Sequence, residues 1–126
     1  MGVGDIVSKI VRVCLGIREG EMVRIHAWGH SLDFASLLAV ECFRVGAVPL
    51  ITVITDQVFR DGLSVAPLEI LSLPPKHEMG LLENVDAQII ISGPEDPDTL
   101  RVVSSERIQA YRRGVFLLVR LRGEIG

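Results

Sequence analysis

Three short runs of apolar and β-branched residues, 22–28, 48–55 and 87–92, are separated by segments whose apolar residues recur at helical spacing. No other feature constrains the fold as much. Strands that alternate with helices build a parallel sheet, because each parallel connection must cross a sheet face and a helix does so compactly. Right-handed crossovers then leave few arrangements besides a three-layer, Rossmann-like α/β fold, with a small, mostly parallel sheet flanked by helices. Residues 1–126 read as one domain of this kind, at a usual domain size.

The first helix is expected near residues 5–17. Ile6, Ile10, Cys14 and Ile17 form its stripe, widened by Val7 and Val11. Asp5 suits the positive end of the helix dipole. The first strand, Met22 to Trp28, places Met22, Arg24, His26 and Trp28 on one face and Val23, Ile25 and Ala27 on the other. A helix near 32–45 follows, with Ser31 as N-cap. Its apolar face is Phe34, Leu37, Leu38, Cys42 and Val45, and Gly46 stops it. The run from Val48 to Thr55 suits a strand covered on both faces, with Pro49 tolerated near its start. Short helices are expected from Gln57 to Leu63 and from Glu78 to Asn84, separated by Pro67, Pro74 and Pro75. Ala87 to Ser92 is the third strand. Pro94 and Pro97 mark a loop, and Ser104 caps a last helix carrying Ile108 and Tyr111. Val115 to Leu121 fits either a strand or a continued helix, with helix favoured.

Composition narrows the partners. Acids and bases are interspersed, the formal charge is -3, and no basic face stands out, which argues against nucleic acid. No apolar stretch approaches the roughly 20 residues of a membrane span. The N-terminus carries Asp5 early and lacks the apolar core of a signal peptide. Cys14 and Cys42 both sit in apolar helical runs and read as buried thiols. Without a cysteine framework, a reducing cytoplasm is the expected setting. The scarcity of lysine beside arginine fits a heat-adapted or GC-rich source.

Candidate chemistry is sparse. His26 and His30 are four residues apart, a metal-binding spacing on a helix, but they straddle a strand end and a turn. Gly29-His30-Ser31 joins the first strand to the next helix, at the strand end where parallel α/β folds bind ligands. Ser31 and the helix N–H groups there could hold an anion. Asp56 ends the second strand, where a dinucleotide site places its ribose acid, yet no GxGxxG follows a strand. The candidate rim or anion-binding residues are therefore His26, Gly29, His30, Ser31 and Asp56. No catalytic, cofactor-binding or metal-ligating residue is assigned, and no activated nucleophile is evident.

The order of motifs resembles a known family. Cys14-Leu15-Gly16-Ile17-Arg18-Glu19-Gly20-Glu21-Met22-Val23 is similar to the opening of the thermophilic metalloproteases, the aminopeptidase T and aminopeptidase S group. A helix with Ala35 and Glu41 and then Arg44-Val45-Gly46-Ala47-Val48-Pro49 continue the likeness. So do Asn84-Val85-Asp86-Ala87-Gln88-Ile89-Ile90-Ile91, Pro94-Glu95-Asp96-Pro97, and Ser104 to Tyr111. The resemblance implies the N-terminal domain of a two-domain metal-dependent aminopeptidase. Its catalytic part would hold a pair of divalent ions (zinc, cobalt or manganese) and act on peptides. No position here matches those ligands, so the resemblance implies an inactive chain that works in assembly and site access, as a dimer or beside a catalytic domain. A free-standing nucleotide- or anion-binding module, and a structural or regulatory short relative that pairs with a full-length partner, are the alternatives.

Overall fold

The computed structural model describes residues 2–91, 93–96, 98–115 and 124–125. Helix α1 (Val3–Lys9) runs into a π-helical turn over Ile10–Cys14. Strand β1 (Met22–Trp28) leads through a short 3-10 turn to α2 (Leu32–Arg44). Then come β2 (Val48–Ile54), α3 (Asp56–Val65), the single turn α4 (Leu68–Leu71) and α5 (Lys76–Leu82). The described chain closes with β3 (Ala87–Ile91), α6 (Ser105–Val115) and β4 (Glu124–Ile125). The strands form one parallel sheet in the order β2-β1-β3-β4, so β1 is internal. This is the three-layer α/β arrangement that the alternation of segments predicts. Residues 116–121, where helix and strand are both compatible with the sequence, lie outside the described residues.

The two sheet faces differ in character. On one face Val23, Ile25 and Ala27 of β1 and Ala87 and Ile89 of β3 pack under Val7, Val11, Ala35, Leu38 and Cys42 of the first two helical segments. This is the apolar core. On the other face, Arg24 and His26 of β1 stand beside Thr52 of β2 and Gln88 of β3. Trp28 stacks edge-on against Phe59, at 5.3 Å between ring centroids, and Phe59 against Tyr111 at 5.5 Å. That aromatic row ties β1 to α3 and α6.

Several expectations are corrected here. Cys14 is exposed, not buried. The bond from Leu15 N–H to the Ile10 carbonyl (3.0 Å) spans five residues and inserts one extra residue into the helix. Val7, Val11 and Ile17 reach the core and Ile10 packs partly against it, while Ile6 turns outward. In α2 the buried row is Ala35, Leu38, Glu41 and Cys42, while Leu37 is exposed. The Glu41 carboxylate enters that row because Arg12 (2.7 Å) and Arg44 neutralise it from the rim. These contacts, Arg12 foremost, hold its carboxyl below the ordinary range against the opposing effect of burial. Burial, with Glu41 beside it, pushes the Cys42 thiol up to about 11, so Cys42 is an inert packing group. Strand β2 is not covered on both faces. It is an edge strand with Val48, Leu50 and Val53 exposed. Helix α5 starts two residues earlier than the sequence pattern suggests, directly after Pro75.

Gly46 makes the tight α2–β2 turn at φ +88°, a left-handed conformation that side chains resist. A Cβ there would also lie 2.9 Å from Cγ of Glu19. Both facts explain why glycine follows this helix.

Candidate functional site

The residues singled out around the first strand separate into two places. Gly29, His30 and Asp56 line a shallow pocket of about 370 Å³ at the carboxyl end of the sheet, together with Glu95 and Asp96. Ser31 does not line it. Its hydroxyl turns back on the strand end, accepting from Trp28 N–H and donating to the Trp28 carbonyl, each at 3.0 Å. It makes no capping bond to α2. Asp56 is the first residue of α3, following Thr55, whose hydroxyl caps that helix by accepting from Val58 N–H (3.2 Å). The Asp56 carboxylate is already engaged. It accepts from the backbone N–H groups of Glu95 and Asp96 (3.0 Å each) and from the Thr99 hydroxyl (3.1 Å). These bonds, led by that of Asp96, draw its carboxyl below the ordinary range. Its work is to fasten Glu95, Asp96 and Thr99 to the start of α3. The pocket carries three carboxylates against one histidine, a poor setting for a phosphate.

His26 belongs elsewhere. It lines a cleft of about 510 Å³ on the polar face of the sheet, with Arg24, Thr52, Glu78 and Tyr111. Arg24 is the centre of this cleft and is 4 % exposed. Its Nε–H donates to the Thr52 hydroxyl (3.0 Å), Nη1 to the Gln88 carbonyl oxygen (3.3 Å), and Nη2 pairs with Glu78 of α5. Nη2 also lies 3.3 Å from His26 Nδ1, which is 2.7 Å from the Thr52 hydroxyl. A guanidinium only donates. Thr52 accepts from Arg24, so its own hydrogen goes to His26. Nδ1 is then an acceptor from both neighbours, and the ring proton sits on Nε2. That N–H has no hydrogen-bond partner among the described residues.

Burial pushes His26 below its ordinary pKa; the Arg24 guanidinium pushes the same way, and Glu78 opposes them. Burial, aided by Glu78, raises the Tyr111 phenol. A consequence is measurable. With the folded pKa below the unfolded value, the unfolded chain binds more protons, so stability is complete above about pH 6.5 and falls as pH drops below it. The melting temperature is expected to decline from pH 7.5 to pH 5.5, above the range where the carboxylates titrate. His26→Gln is expected to flatten that slope. An unchanged slope in the variant would show that another group carries it.

The sequence pattern places Arg24 and His26 on one strand face, yet Arg24, Thr52, Glu78 and Gln88 escape notice as site residues. The signal was available. A strand buried on both sides that carries Arg and His on one face, beside a Gln in an isoleucine-rich strand, announces a buried polar network.

Among the described residues no group of three or more His, Cys, Asp and Glu side chains is arranged to hold a metal ion. None of their helices is long and apolar enough to cross a membrane. Residues 5–119 match the model of the family described as thermophilic metalloprotease (M29). Among solved structures, wild-type AmpT from Thermus thermophilus superposes with a TM-score of 0.76 at 24 % identity. The superposition covers 89 % of this chain and 29 % of that one, so the chain spans less than a third of its length. At this identity the likeness establishes the fold alone. No curated protein matches the sequence.

Proposed function

This chain belongs to the thermophilic metalloprotease family, and from that premise we propose that it forms the non-catalytic N-terminal domain of a metal-dependent aminopeptidase, serving assembly and access to the catalytic site. The observation that carries this reading is a family match over residues 5–119 in a chain whose described residues offer no set of ligands for a metal ion. The family's divalent metal does not fit the side chains described here, and no catalytic step is assigned to them.

A role in assembly requires surface to dock with. Leu37, Val40 and Phe43, three residues apart along the outer side of α2, are exposed. Contiguous apolar surface of this kind marks contact with another protein surface. A dimer or an adjoining catalytic domain would cover it.

The test is hydrolysis of a panel of aminoacyl chromogenic substrates by the purified 126-residue chain, with cobalt, zinc or manganese added. No turnover by protein that is folded by circular dichroism is the expected result. Turnover that follows this chain through purification, and that a chelator abolishes, would overturn the reading. His26 and His30 would then be the first residues to replace.

A further inference from the structure

The cleft around Arg24 is built in a way that packing alone does not require. An arginine on an internal strand loses its hydration, and a buried ion pair is often no more stabilising than two apolar side chains of similar size. Here the guanidinium is held by Thr52 and Gln88 from its own sheet and by Glu78 from α5. Such an arrangement fixes a positive and a negative group side by side in the wall of a cavity. Glu78 pairs through Oε2 and is a quarter exposed, which leaves Oε1 free to accept from a ligand. His26 Nε2–H is a donor in the same cavity, and Tyr111 lines it too. A guanidinium has five N–H groups, and four contacts from Arg24 are accounted for by Thr52, Gln88, His26 and Glu78. One N–H remains.

We propose that this cleft binds a free α-amino acid with an apolar side chain, its carboxylate on Arg24 and His26 and its ammonium on Glu78. Arg24 and Glu78 are in direct contact, so a ligand that satisfies both must carry its own opposite charges close together. An α-amino acid does so, across a single carbon. A dipeptide separates them by a peptide unit. The apolar preference comes from a second groove of about 520 Å³, lined mainly by Ile70, Leu71, Leu73, Pro74 and Pro75, with Lys76 as its one lysine, which shares His77 and Tyr111 with the polar cleft. Both volumes lie within the roughly 300–1,000 Å³ usual for small-molecule sites. This inference stands apart from the aminopeptidase reading, since it concerns only this chain and needs no metal and no turnover.

The experiment is an NMR titration of the intact chain, following the histidine and tyrosine ring signals without added metal. L-Leucine is expected to shift the His26 and Tyr111 signals saturably. Leucinamide, N-acetyl-leucine and the dipeptide Leu-Gly each lose one charged contact or its spacing. They are expected to bind about tenfold more weakly, or worse. L-Aspartate is expected to bind more weakly as well. Glu78→Gln is expected to bring leucine down to the affinity of N-acetyl-leucine; if that variant fails to fold, the ligand series decides alone. Absence of a saturable shift with leucine, or equal binding of leucine and its two blocked analogues, would overturn the proposal.

Discussion

Glu78→Ala is expected to destabilise the fold by about 3 kcal/mol, because it strands the Arg24 charge in a place where water barely reaches. The reverse change is gentler. Arg24→Met leaves a carboxylate that is a quarter exposed and can turn toward solvent, and it is expected to cost about 1–2 kcal/mol through the orphaned Thr52 and Gln88 groups. The double variant Arg24→Met/Glu78→Ala should lose less than the sum of its parts, since no buried charge is left behind. Urea unfolding of the four proteins closes the cycle. A Glu78→Ala variant within about 0.5 kcal/mol of the parent would mean that water enters the cleft freely enough to solvate Arg24.

Leu38→Ala is expected to cost about 3 kcal/mol or more. The side chain is fully buried at the centre of the core, and its removal leaves a cavity among Val11, Ile25 and Cys42 that the sheet cannot close. Its neighbour Leu37 supplies the control. That side chain is 47 % exposed, and Leu37→Ala should stay within about 0.5 kcal/mol of the parent. The urea midpoint should fall for the first variant alone, with the slope unchanged in both. Equal losses would place α2 in a different rotation against the sheet.

These two leucines also show what was legible in the sequence. The strand β1 declares its two faces because the side-chain period is two and glycines bound it. Parallel order followed from alternation, and Ser104, Gly46 and the prolines set several boundaries correctly. The rotation of a helix is harder to read when apolar residues surround it. Leu37 and Leu38 are equally hydrophobic, and only the tertiary position of α2 tells which one is buried. Cys14 failed for a different reason. One inserted residue turns a helix by about 100°, and nothing in 10–14 marks the place where the π-turn forms. The site was legible only in half. Arg24 and His26 share a face by local periodicity. Their partner Glu78 lies 54 residues beyond Arg24 and meets it only once α5 folds across the sheet. Asp56 opens α3 rather than ending the second strand, and the backbone groups its carboxylate holds, at Glu95 and Asp96, are equally remote. Long-range polar pairing leaves no periodic trace.

The edge strand carries a further meaning for the behaviour of the protein at high concentration. Val48 N–H bonds inward to the Glu21 carbonyl (2.8 Å), so by alternation Pro49, Ile51 and Val53 present their backbone to the open side. From Val48 to Ile54 there is no charge, which is the composition that seeds fibrous aggregation when an edge meets its own copy. Proline has no N–H to offer. At Pro49 the open ladder therefore lacks its first donor, and an incoming strand finds only those of Ile51 and Val53. The residue that looked merely tolerated near the start of β2 is a gatekeeper, set where runaway strand addition would otherwise begin.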